Sequence, residues 1–346
     1  MKALTISSHG ALDKVHYRDD VAEPEIRAAT DVRVRIAAAA LNHLDVFMVA
    51  GLPGISITPP WILGADGTGT VESVGTAVQS VKPGDRVVIN GGIACRACEY
   101  CLAGETPLCV RFGLLGEHHP GTLAEFLVLP AANVRRIAAD APRPHAASFA
   151  LAALTAWRMV VTRARVQPGE QVLIQGIGGG VALAAMQIAR LRGARVWVTS
   201  SSDEKLAKAR ALGADETLNY TTLDVGRTVR DRTAKRGVDV VIDSVGAASW
   251  KHSLAALGRR GRLVTCGGTT GPLVETDVRK LFWNQWTLMG STMGNDAEFD
   301  AVVAEFTAGR LTPVIDSVFP LAEGRAAVER LASGRHFGKV VVEVAE

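Results

Sequence analysis

The amino-acid sequence predicts an α/β protein with two domains, a small β-barrel followed by a doubly wound parallel sheet. The first 130 residues contain short strand-like runs between Gly and Pro turns, which favours a partly antiparallel barrel. From about Ala146, apolar strands alternate with helices of roughly 10 to 15 residues, which is typical of a parallel sheet covered on both faces. The length of 346 residues is sufficient for two hydrophobic cores.

Each element follows from local pattern and turn chemistry. In the first half, strands are predicted at 32–38, 69–74 and 86–89. In the second half, helices are predicted at 146–161, 181–191, 203–212, 225–234 and 250–257, and strands at 171–175, 194–199, 217–219, 238–243 and 262–266. Residues from Ala297 onward predict two more helices and a last strand at 339–344.

Composition excludes several classes of function. The chain has 38 Lys and Arg against 35 Asp and Glu, a net charge of +3 that is too small to imply a nucleic-acid or anionic-membrane partner. No run approaches the roughly 18 apolar residues that a membrane span needs. The first residues, MKALTISSHG, lack the apolar region of a secretory signal, so we expect a cytoplasmic protein.

A glycine-rich turn lies between a predicted strand and a predicted helix. The sequence QGIGGGVA contains Gly176, Gly178, Gly179, Gly180 and Val181. At such a turn a pyrophosphate can accept hydrogen bonds from backbone N–H groups at the helix N-terminus. The strict GxGxxG spacing is not met, but a strand, a helix and a second strand follow in the required order. This context predicts a dinucleotide site; a flexible turn without a ligand is the alternative.

The end of the second strand of this unit predicts the choice of cofactor. NAD-binding sites place a carboxylate there to bind the ribose 2′-OH. Here the strand ends in hydroxyls, including Ser200 and Ser201, and Lys205 follows. Asp203 is interpreted as the start of the next helix. Hydroxyls and an ammonium favour the 2′-phosphate, so we predict NADP(H), with NAD as the alternative.

Four of the five cysteines lie within fifteen residues, in the pattern C-x2-C-x2-C-x7-C. Four thiolates can surround one Zn²⁺ tetrahedrally and leave no position open for substrate, so the predicted site is structural. An iron–sulfur cluster is the main alternative. The predicted ligands are Cys95, Cys98, Cys101 and Cys109.

These features resemble the medium-chain dehydrogenase/reductase superfamily in their order along the chain. The segments that carry the resemblance are VRVRIAAAALNHLD, LGADGTGTVESVG, VKPGDRVV, the cysteine lobe, AALTAW, the glycine turn and FGKVVV. The resemblance implies a GroES-like domain at 1–150 and 294–346, with its zinc lobe at 95–109. A Rossmann domain that binds the cofactor is implied at 151–293. It also implies an oxidoreductase that acts on a small organic molecule.

The sequence departs from the zinc alcohol dehydrogenases of this superfamily at the catalytic metal. The positions of the three ligands fall on Asn42, Ala65 and about Leu151, and the hydroxyl of the proton relay falls on Leu44. Ala and Leu cannot bind a metal, and an amide is a poor zinc ligand. Without a Lewis acid an alkoxide is not stabilised, whereas an enolate or hydroquinone anion is delocalised. We therefore expect hydride transfer to an activated C=C bond or a quinone.

The resemblance also implies roles for individual residues of the first domain. Asn42 would place its amide near the nicotinamide or the substrate oxygen; satisfying a local turn is the alternative. His43 would lie near the cofactor pyrophosphate or at the surface. Asp45 and Asp66 would be remnants of the metal surroundings or a general acid.

In the second domain the resemblance places Thr155 against the nicotinamide and Tyr220 against the adenosine 2′-phosphate. A half-buried aromatic at a strand end is the other interpretation of Tyr220. The run 288–291 is where relatives pair edge to edge, so a homodimer or homotetramer is expected. Further residues lining the cofactor would be Gly267, Gly268, Ser291, Thr292 and Met293.

Two other functions stay open at this stage. One is an alcohol dehydrogenase with an atypical metal set drawn from His43, Asp45, Asp66 or His118. The other is a protein that binds NADPH without catalysing a reaction. The segment Glu117-His118-His119 is expected to be solvated.

Overall fold

The computed structural model describes residues 1–344, which form two compact units. The first, here called the barrel domain, comprises Met1–Leu151 and the chain from Asn295 onward. The second, called the parallel-sheet domain, comprises Ala152–Gly294. Both boundaries lie one residue later than the sequence predicts. Within residues 1–344, no helix has the length and apolar character needed to cross a bilayer.

The elements follow one another in three stretches of chain. The first contains β1 (Ala3–Ile6), β2 (Val15–Arg18), β3 (Asp31–Ala40), α1 (His43–Ala50), β4 (Trp61–Ile62), β5 (Asp66–Val74), β6 (Arg86–Ile89), β7 (Gly92–Ile93), α2 (Glu99–Leu102), β8 (Gly113–Leu114), β9 (Phe126–Pro130), β10 (Val134–Arg136) and α3 (Arg143–Ser148). The second contains α4 (Ala150–Trp157), β11 (Gln171–Ile174), α5 (Gly180–Leu191), β12 (Arg195–Ser200), α6 (Asp203–Ala211), β13 (Glu216–Asn219), α7 (Val225–Arg232), β14 (Val238–Asp243), α8 (Ala247–Ala256), β15 (Leu257–Thr265), α9 (Val278–Asn284) and β16 (Thr287–Gly290). The third contains α10 (Asp296–Thr307), β17 (Ile315–Pro320), α11 (Gly324–Ala332) and β18 (Lys339–Glu343).

The barrel domain is organised around strand β3. Its side chains alternate, so that Val32, Val34 and Ile36 are buried in the core. On the other face, Arg33 and Arg35 lie over the ring of Phe126, with the guanidinium carbons 4.3 and 4.6 Å from its centroid. Strand β3 pairs antiparallel with β5, β9 and β18. The last strand of the chain therefore returns to the centre of the first domain.

The parallel-sheet domain contains six strands in the order β13-β12-β11-β14-β15-β16, and every pairing is parallel. Strand β14 has the sequence VDVVID and is buried along nearly its whole length, as expected for a sheet covered on both faces. The strand order reverses between β11 and β14. Ligands bind parallel sheets outside the carboxyl ends of the strands at such a reversal. The predicted α/β fold with a GroES-like barrel and a Rossmann sheet is confirmed.

Several predicted elements have different bounds. The single helix predicted at 146–161 is divided into α3, α4 and a π-helical segment, Arg158–Arg163. Three consecutive β-branched residues lie in that segment, and their stiff side chains disfavour a regular α-helix. Helix α8 begins three residues before the predicted start and β15 begins five residues before it. Helix α9 and strand β17 were not predicted.

Candidate functional site

A polar cluster lies at the positions that the resemblance assigns to a catalytic metal. The Lys339 ammonium donates hydrogen bonds to Asn42 Oδ1 at 2.6 Å and to Asp66 Oδ2 at 2.9 Å. Asn42 Nδ2 donates to the same Asp66 oxygen at 3.0 Å. The other oxygen, Asp66 Oδ1, accepts the backbone N–H of Leu151 at 2.7 Å. We call Asn42, Asp66 and Lys339 the Lys339 cluster; in it a carboxylate and an ammonium neutralise each other.

Asp45 is fully buried beside this cluster, and the backbone occupies both of its carboxylate oxygens. Oδ2 accepts the N–H of Asn42 at 2.8 Å, and Oδ1 accepts the N–H of Gly64 at 2.8 Å. Burial raises the pKa of Asp45 to about 6, although both N–H groups and the charge of Lys339 act in the opposite direction. These contacts join the start of α1 to the loop before β5. Asp45 therefore has the surroundings of a positioning residue rather than of the predicted catalytic acid.

The residues of the cluster do not form a site for a catalytic zinc. The side chains of Ala65 and Leu151 offer no ligand atom. The amide nitrogen of Asn42 donates a hydrogen bond to Asp66, and its oxygen accepts one from Lys339. A divalent cation would also be repelled by the ammonium of Lys339. The structure brings Asn42 and Asp66 together, as the sequence suggested. Both side chains accept a hydrogen bond from the ammonium of Lys339.

The atypical metal set also lacks geometric support. Among residues 1–344, the four clustered cysteines form the one group of three or more potential ligands that come together. The ring of His118 accepts the N–H of Leu114 through Nδ1 at 3.3 Å. His43 is exposed, and its ring lies tilted against that of His336, with 5.8 Å between centroids. Although the residue as a whole is exposed, surrounding atoms partly desolvate the ring, and this desolvation and then the charge of Lys339 lower the pKa of His43.

The four cysteines have the arrangement that a structural zinc requires. Their Sγ atoms lie within 4.8 Å of one another. Cys109 Sγ accepts the backbone N–H groups of Cys95 at 3.2 Å and Arg111 at 3.3 Å, and Cys95 Sγ accepts that of Cys98 at 3.4 Å. Such donors stabilise thiolates, which are the form that binds Zn²⁺. Cys266 lies in the other domain, where burial raises the pKa of its thiol to about 12.

The glycine turn follows β11 and opens α5. Gly176 and Gly178 have φ angles of +68° and +124°, which side-chain-bearing residues rarely adopt. Gly179 is the N-cap of α5; no side chain caps the helix, and no atom lies within 4 Å of the position that a Cβ of Gly179 would occupy. The first N–H groups of α5 are therefore accessible to an anion, and the turn fits a dinucleotide pyrophosphate.

Residues at the ends of β12 and β13 lie together as the sequence suggested. The N–H of Tyr220 donates to the carbonyl of Ser200 at 3.1 Å, and half of the Tyr220 side chain is exposed. Ser202 caps α6 by accepting the N–H of Lys205 at 3.3 Å. The carboxylate of Asp203 accepts a hydrogen bond from Asn219 at 2.7 Å. Asp203 is thus the first residue of α6, as expected. Its carboxylate is hydrogen-bonded to Asn219 beside the ends of β12 and β13.

Two residues predicted to line the nicotinamide are in contact. Thr155 Oγ1 lies 3.7 Å from Met293 Sδ, and both residues are buried. Ser291 donates its N–H to the carbonyl of Thr265 at 2.8 Å, at the ends of β15 and β16. Thr292 follows it in the same loop. Gly267 and Gly268 follow β15 after one intervening residue, Cys266, at the carboxyl edge of the sheet.

Sequence reasoning missed the residue at the centre of the polar cluster, Lys339. It treated FGKVVV as a landmark and assigned no role to its lysine. The available signal was a single charge at the start of a strand that continues with three valines. It also missed Asn219, which offered no signal apart from its position at a strand end.

Comparison with known proteins identifies the family. Residues 28–139 match the alcohol dehydrogenase GroES-like domain, and residues 180–308 match the zinc-binding dehydrogenase domain. A zinc-type alcohol dehydrogenase-like protein of Schizosaccharomyces pombe is 32% identical over 322 residues, which are 91% of each chain. The chain belongs to the medium-chain dehydrogenase/reductase superfamily.

Members of this superfamily with different activities are similar to the chain. A quinone oxidoreductase of Pseudomonas aeruginosa is 31% identical over 355 residues, or 99% of each chain. A solved structure of an NAD-dependent alcohol dehydrogenase is 41% identical, covers 100% of both chains and superposes with a TM-score of 0.95. The protein is therefore an oxidoreductase of this superfamily, and the names of its relatives include both alcohol and quinone chemistry.

Proposed function

We propose that the protein is an NADP(H)-dependent reductase of activated C=C bonds or quinones that operates without a catalytic metal. The observation that carries this proposal is the Lys339 cluster. Its hydrogen bonds occupy the polar atoms of Asn42 and Asp66, and Ala65 and Leu151 supply no ligand. A reaction that leaves a localised alkoxide needs a Lewis acid or a positioned proton donor at that oxygen. A reaction that leaves an enolate or hydroquinone anion can proceed with hydrogen-bond donors alone.

NADP(H), when bound, would supply the hydride. The glycine turn at 176–180 would hold the pyrophosphate through the N–H groups of α5. Ser200, Ser201, Lys205 and Tyr220 would hold the 2′-phosphate, since the nearby carboxylate of Asp203 is already bonded to Asn219. Thr155, Gly267, Gly268, Met293 and their neighbours would orient the remainder of the cofactor.

The metal in this proposal is one structural Zn²⁺ held by the four clustered cysteines. An all-thiolate set is closed to substrate, so this ion would stabilise the lobe at 95–109 and take no part in hydride transfer.

A homodimer or homotetramer is also proposed. Strand β16 is the outer strand of the parallel sheet, and an open edge can pair with a second copy. The preceding helix α9 exposes 63% of Phe282 and 74% of Trp283. Adjacent exposed aromatic residues are typical of a protein interface.

The alternative is an alcohol dehydrogenase, and the names of the relatives favour it. The test measures NADPH and NADH oxidation with quinones, enones, enoyl thioesters and aldehydes, and reduction of both oxidised cofactors with alcohols. We expect NADPH oxidation by a quinone, enone or enoyl thioester at about 1 per second or faster, and no effect of a chelator that leaves the lobe intact. Alcohol oxidation alone, abolished by the chelator, would support the alternative. Absence of all turnover would indicate a protein that only binds NADPH.

A further inference from the structure

A pocket with a volume of about 440 Å³ lies on one face of the parallel-sheet domain, beside the outer strand β16. Three arginines line it: Arg163 at the end of the π-helical segment, Arg165 two residues later, and Arg262 in β15. Thr287 and Met289 line it from β16, where their spacing of two residues places them on the same face. All five residues belong to the parallel-sheet domain. The volume is within the range of sites that bind small molecules, about 300–1,000 Å³.

The pocket and the glycine turn lie at different places on the sheet. Arg262 is paired with Thr287, the first residue of β16, and with Val240 of β14. Val240 is paired in turn with Val172, the second residue of β11. The glycine turn follows the last residue of β11, outside the carboxyl end of the strand, where dinucleotides bind. The proposed dinucleotide site therefore does not account for the three arginines.

Positive charge predominates at this pocket. Arg262 is paired with Glu170, with 2.6 Å between Nη2 and Oε2. Within residues 1–344, neither Arg163 nor Arg165 has a carboxylate partner. Three guanidinium groups and one carboxylate leave a net charge of +2. A concave surface of one charge sign focuses its field and attracts ions of the opposite sign.

The guanidinium groups also have hydrogen-bond donors available for a ligand. Nε of Arg262 is buried and has no acceptor in the part of the chain that the structure describes. Since an unbonded buried donor is destabilising, such an atom indicates an acceptor that comes from outside the chain. Nε of Arg163 donates to the carbonyl of Gly290 at 3.1 Å, which fixes this side chain at the end of β16. The planar fork of arginine matches the oxygen atoms of a phosphate group.

We propose that this pocket binds the phosphate group of a small molecule, through Arg163, Arg165 and Arg262. A phosphate monoester carries a charge of about −1.5 to −2 at pH 7 and has three acceptor oxygens, so it matches the charge of the pocket better than a carboxylate does. Two of the arginines lie at the end of a π-helical segment or just after it, and such segments occur frequently at functional sites.

This inference does not rest on the proposed function, because it concerns a second site in the same domain. It is also compatible with a dimer through β16. Edge-to-edge pairing uses the backbone groups of the strand and does not require the face on which the pocket lies.

The test compares the binding of inorganic phosphate, phenyl phosphate and benzoate, measured by isothermal titration calorimetry at constant ionic strength. Arg165→Gln removes one charge from an exposed position of the pocket. Arg192→Gln removes the same charge from an exposed position elsewhere in the domain and is the matched control. Arg262→Lys keeps the charge opposite Glu170 and removes the Nε donor.

We expect one saturable site for phosphate or phenyl phosphate in the parent protein. The dissociation constant should rise about tenfold in Arg165→Gln and in Arg262→Lys, and less than twofold in Arg192→Gln. Tighter binding of phenyl phosphate than of inorganic phosphate would identify a phosphate ester as the class of ligand, and the reverse would identify free phosphate.

Three results would overturn the proposal. They are the absence of saturable binding, a dissociation constant that either pocket variant leaves unchanged, and binding of benzoate as tight as that of phenyl phosphate. If Arg262→Lys does not fold, Arg165→Gln alone decides. Unchanged binding together with altered assembly in Arg165→Gln would assign the arginines to an interface between copies.

A second titration distinguishes the pocket from the glycine turn, which is the other place where a phosphate can bind. We expect phosphate to bind equally well in the presence of saturating NADPH. Competition by NADPH, with no dependence on Arg165, would place the phosphate at the turn and contradict the proposal. If NADPH does not bind, the proposed function fails, whereas the comparison of Arg165→Gln with Arg192→Gln still decides whether the pocket binds phosphate.

Discussion

Thr199 Oγ1 donates a hydrogen bond of 2.7 Å to Gln175 Oε1 and so joins the ends of β12 and β11 beside the glycine turn. The same hydroxyl accepts the N–H of Gly176 at 3.1 Å. Gln175 Nε2 in turn donates to Ser253, whose hydroxyl donates to Asp243 at the end of β14. A buried chain of polar side chains therefore fixes the turn from the three strands that surround it.

Replacing Thr199 with valine should weaken cofactor binding without changing the shape of the side chain. The substitution leaves Gln175 Oε1 and the N–H of Gly176 without this hydroxyl, at a cost of about 1–3 kcal/mol. We expect the dissociation constant of NADPH, measured by fluorescence titration, to rise about tenfold, which corresponds to 1.4 kcal/mol. Thr217→Val on the neighbouring strand β13 is the matched control. An unchanged constant in Thr199→Val would show that the turn is rigid without this bond.

An aspartate at position 200 should reverse the preference for the phosphorylated cofactor. In Ser200→Asp the new carboxylate lies at the end of β12, where it repels a 2′-phosphate and can bind a ribose 2′-OH. We expect the ratio of kcat/KM for NADPH to that for NADH to fall by about 10- to 100-fold, or about 1.4 to 2.7 kcal/mol. Ser333→Asp, at an exposed position in the other domain, should leave the ratio unchanged. A parent protein that already prefers NADH would contradict the assignment of NADP(H).

Charges on α9 should separate the proposed dimer. The double variant Phe282→Glu/Trp283→Glu places two carboxylates on the exposed aromatic pair, and burying them against a second copy would be costly. We expect a dimer or tetramer for the parent protein and a folded monomer for the variant, measured by light scattering. Arg279→Glu, at another exposed position of the same helix, controls for the change of charge. A monomeric parent, or an unchanged assembly in the variant, would exclude this interface.

Asp45 should make stability fall as pH rises from about 4 to 6. Its pKa in the folded protein is about 6, against an ordinary value of 3.8, so the folded state binds more protons than the unfolded state in this window. Two pH units correspond to about 3 kcal/mol. In Asp45→Asn this contribution is absent, so the free energy of unfolding of the parent should fall relative to the variant by about that amount. Lys339 and Asp66, the charged groups around Asp45, are present in both proteins and cancel in the difference.

Chemical denaturation at a series of pH values between 4 and 8 measures this difference. A constant difference between the parent and Asp45→Asn would show that burial does not shift the ionisation of Asp45. Asp316→Asn is a useful comparison, because its ion pair with Arg330 and other hydrogen bonds lower the pKa of Asp316 to about 2 despite its burial. The contribution of the ionised Asp316 side chain to the free energy of unfolding should therefore be lost only as pH falls below about 4.

The alternation of strands and helices was sufficient to predict the parallel-sheet domain. Strand β14 and helix α6 have local patterns that agree with their tertiary surroundings, and the structure has them close to the predicted bounds. Helix α9 was not predicted because its apolar side chains are exposed and give no buried stripe. Strand β17 was not predicted because its side chains are partly exposed on both faces, which removes the two-residue alternation.

Only those parts of the candidate site whose residues lie close together in the sequence could be predicted. The four cysteines and the glycine turn are local, so spacing alone indicated them. The ion pair of Lys339 and Asp66 joins residues 273 positions apart in the chain, through the pairing of β18 with β3. Local pattern carries no information about such a contact. The departure at Ala65 indicated that a metal ligand is absent there, but it could not indicate that Lys339 pairs with the neighbouring Asp66.

Zinc analysis of the zinc-replete protein tests the central claim most directly, because the claim is that one metal site exists and the second has been replaced by an ammonium. Zinc per chain is measured for the parent, for Cys101→Ser and for Cys266→Ala, after dialysis against buffer containing zinc and then against metal-free buffer. We predict about one zinc in the parent and in Cys266→Ala, and less than about 0.2 in Cys101→Ser, since three thiolates hold the ion less tightly than four. Two zinc ions in the parent, with one retained in Cys101→Ser, would contradict the account.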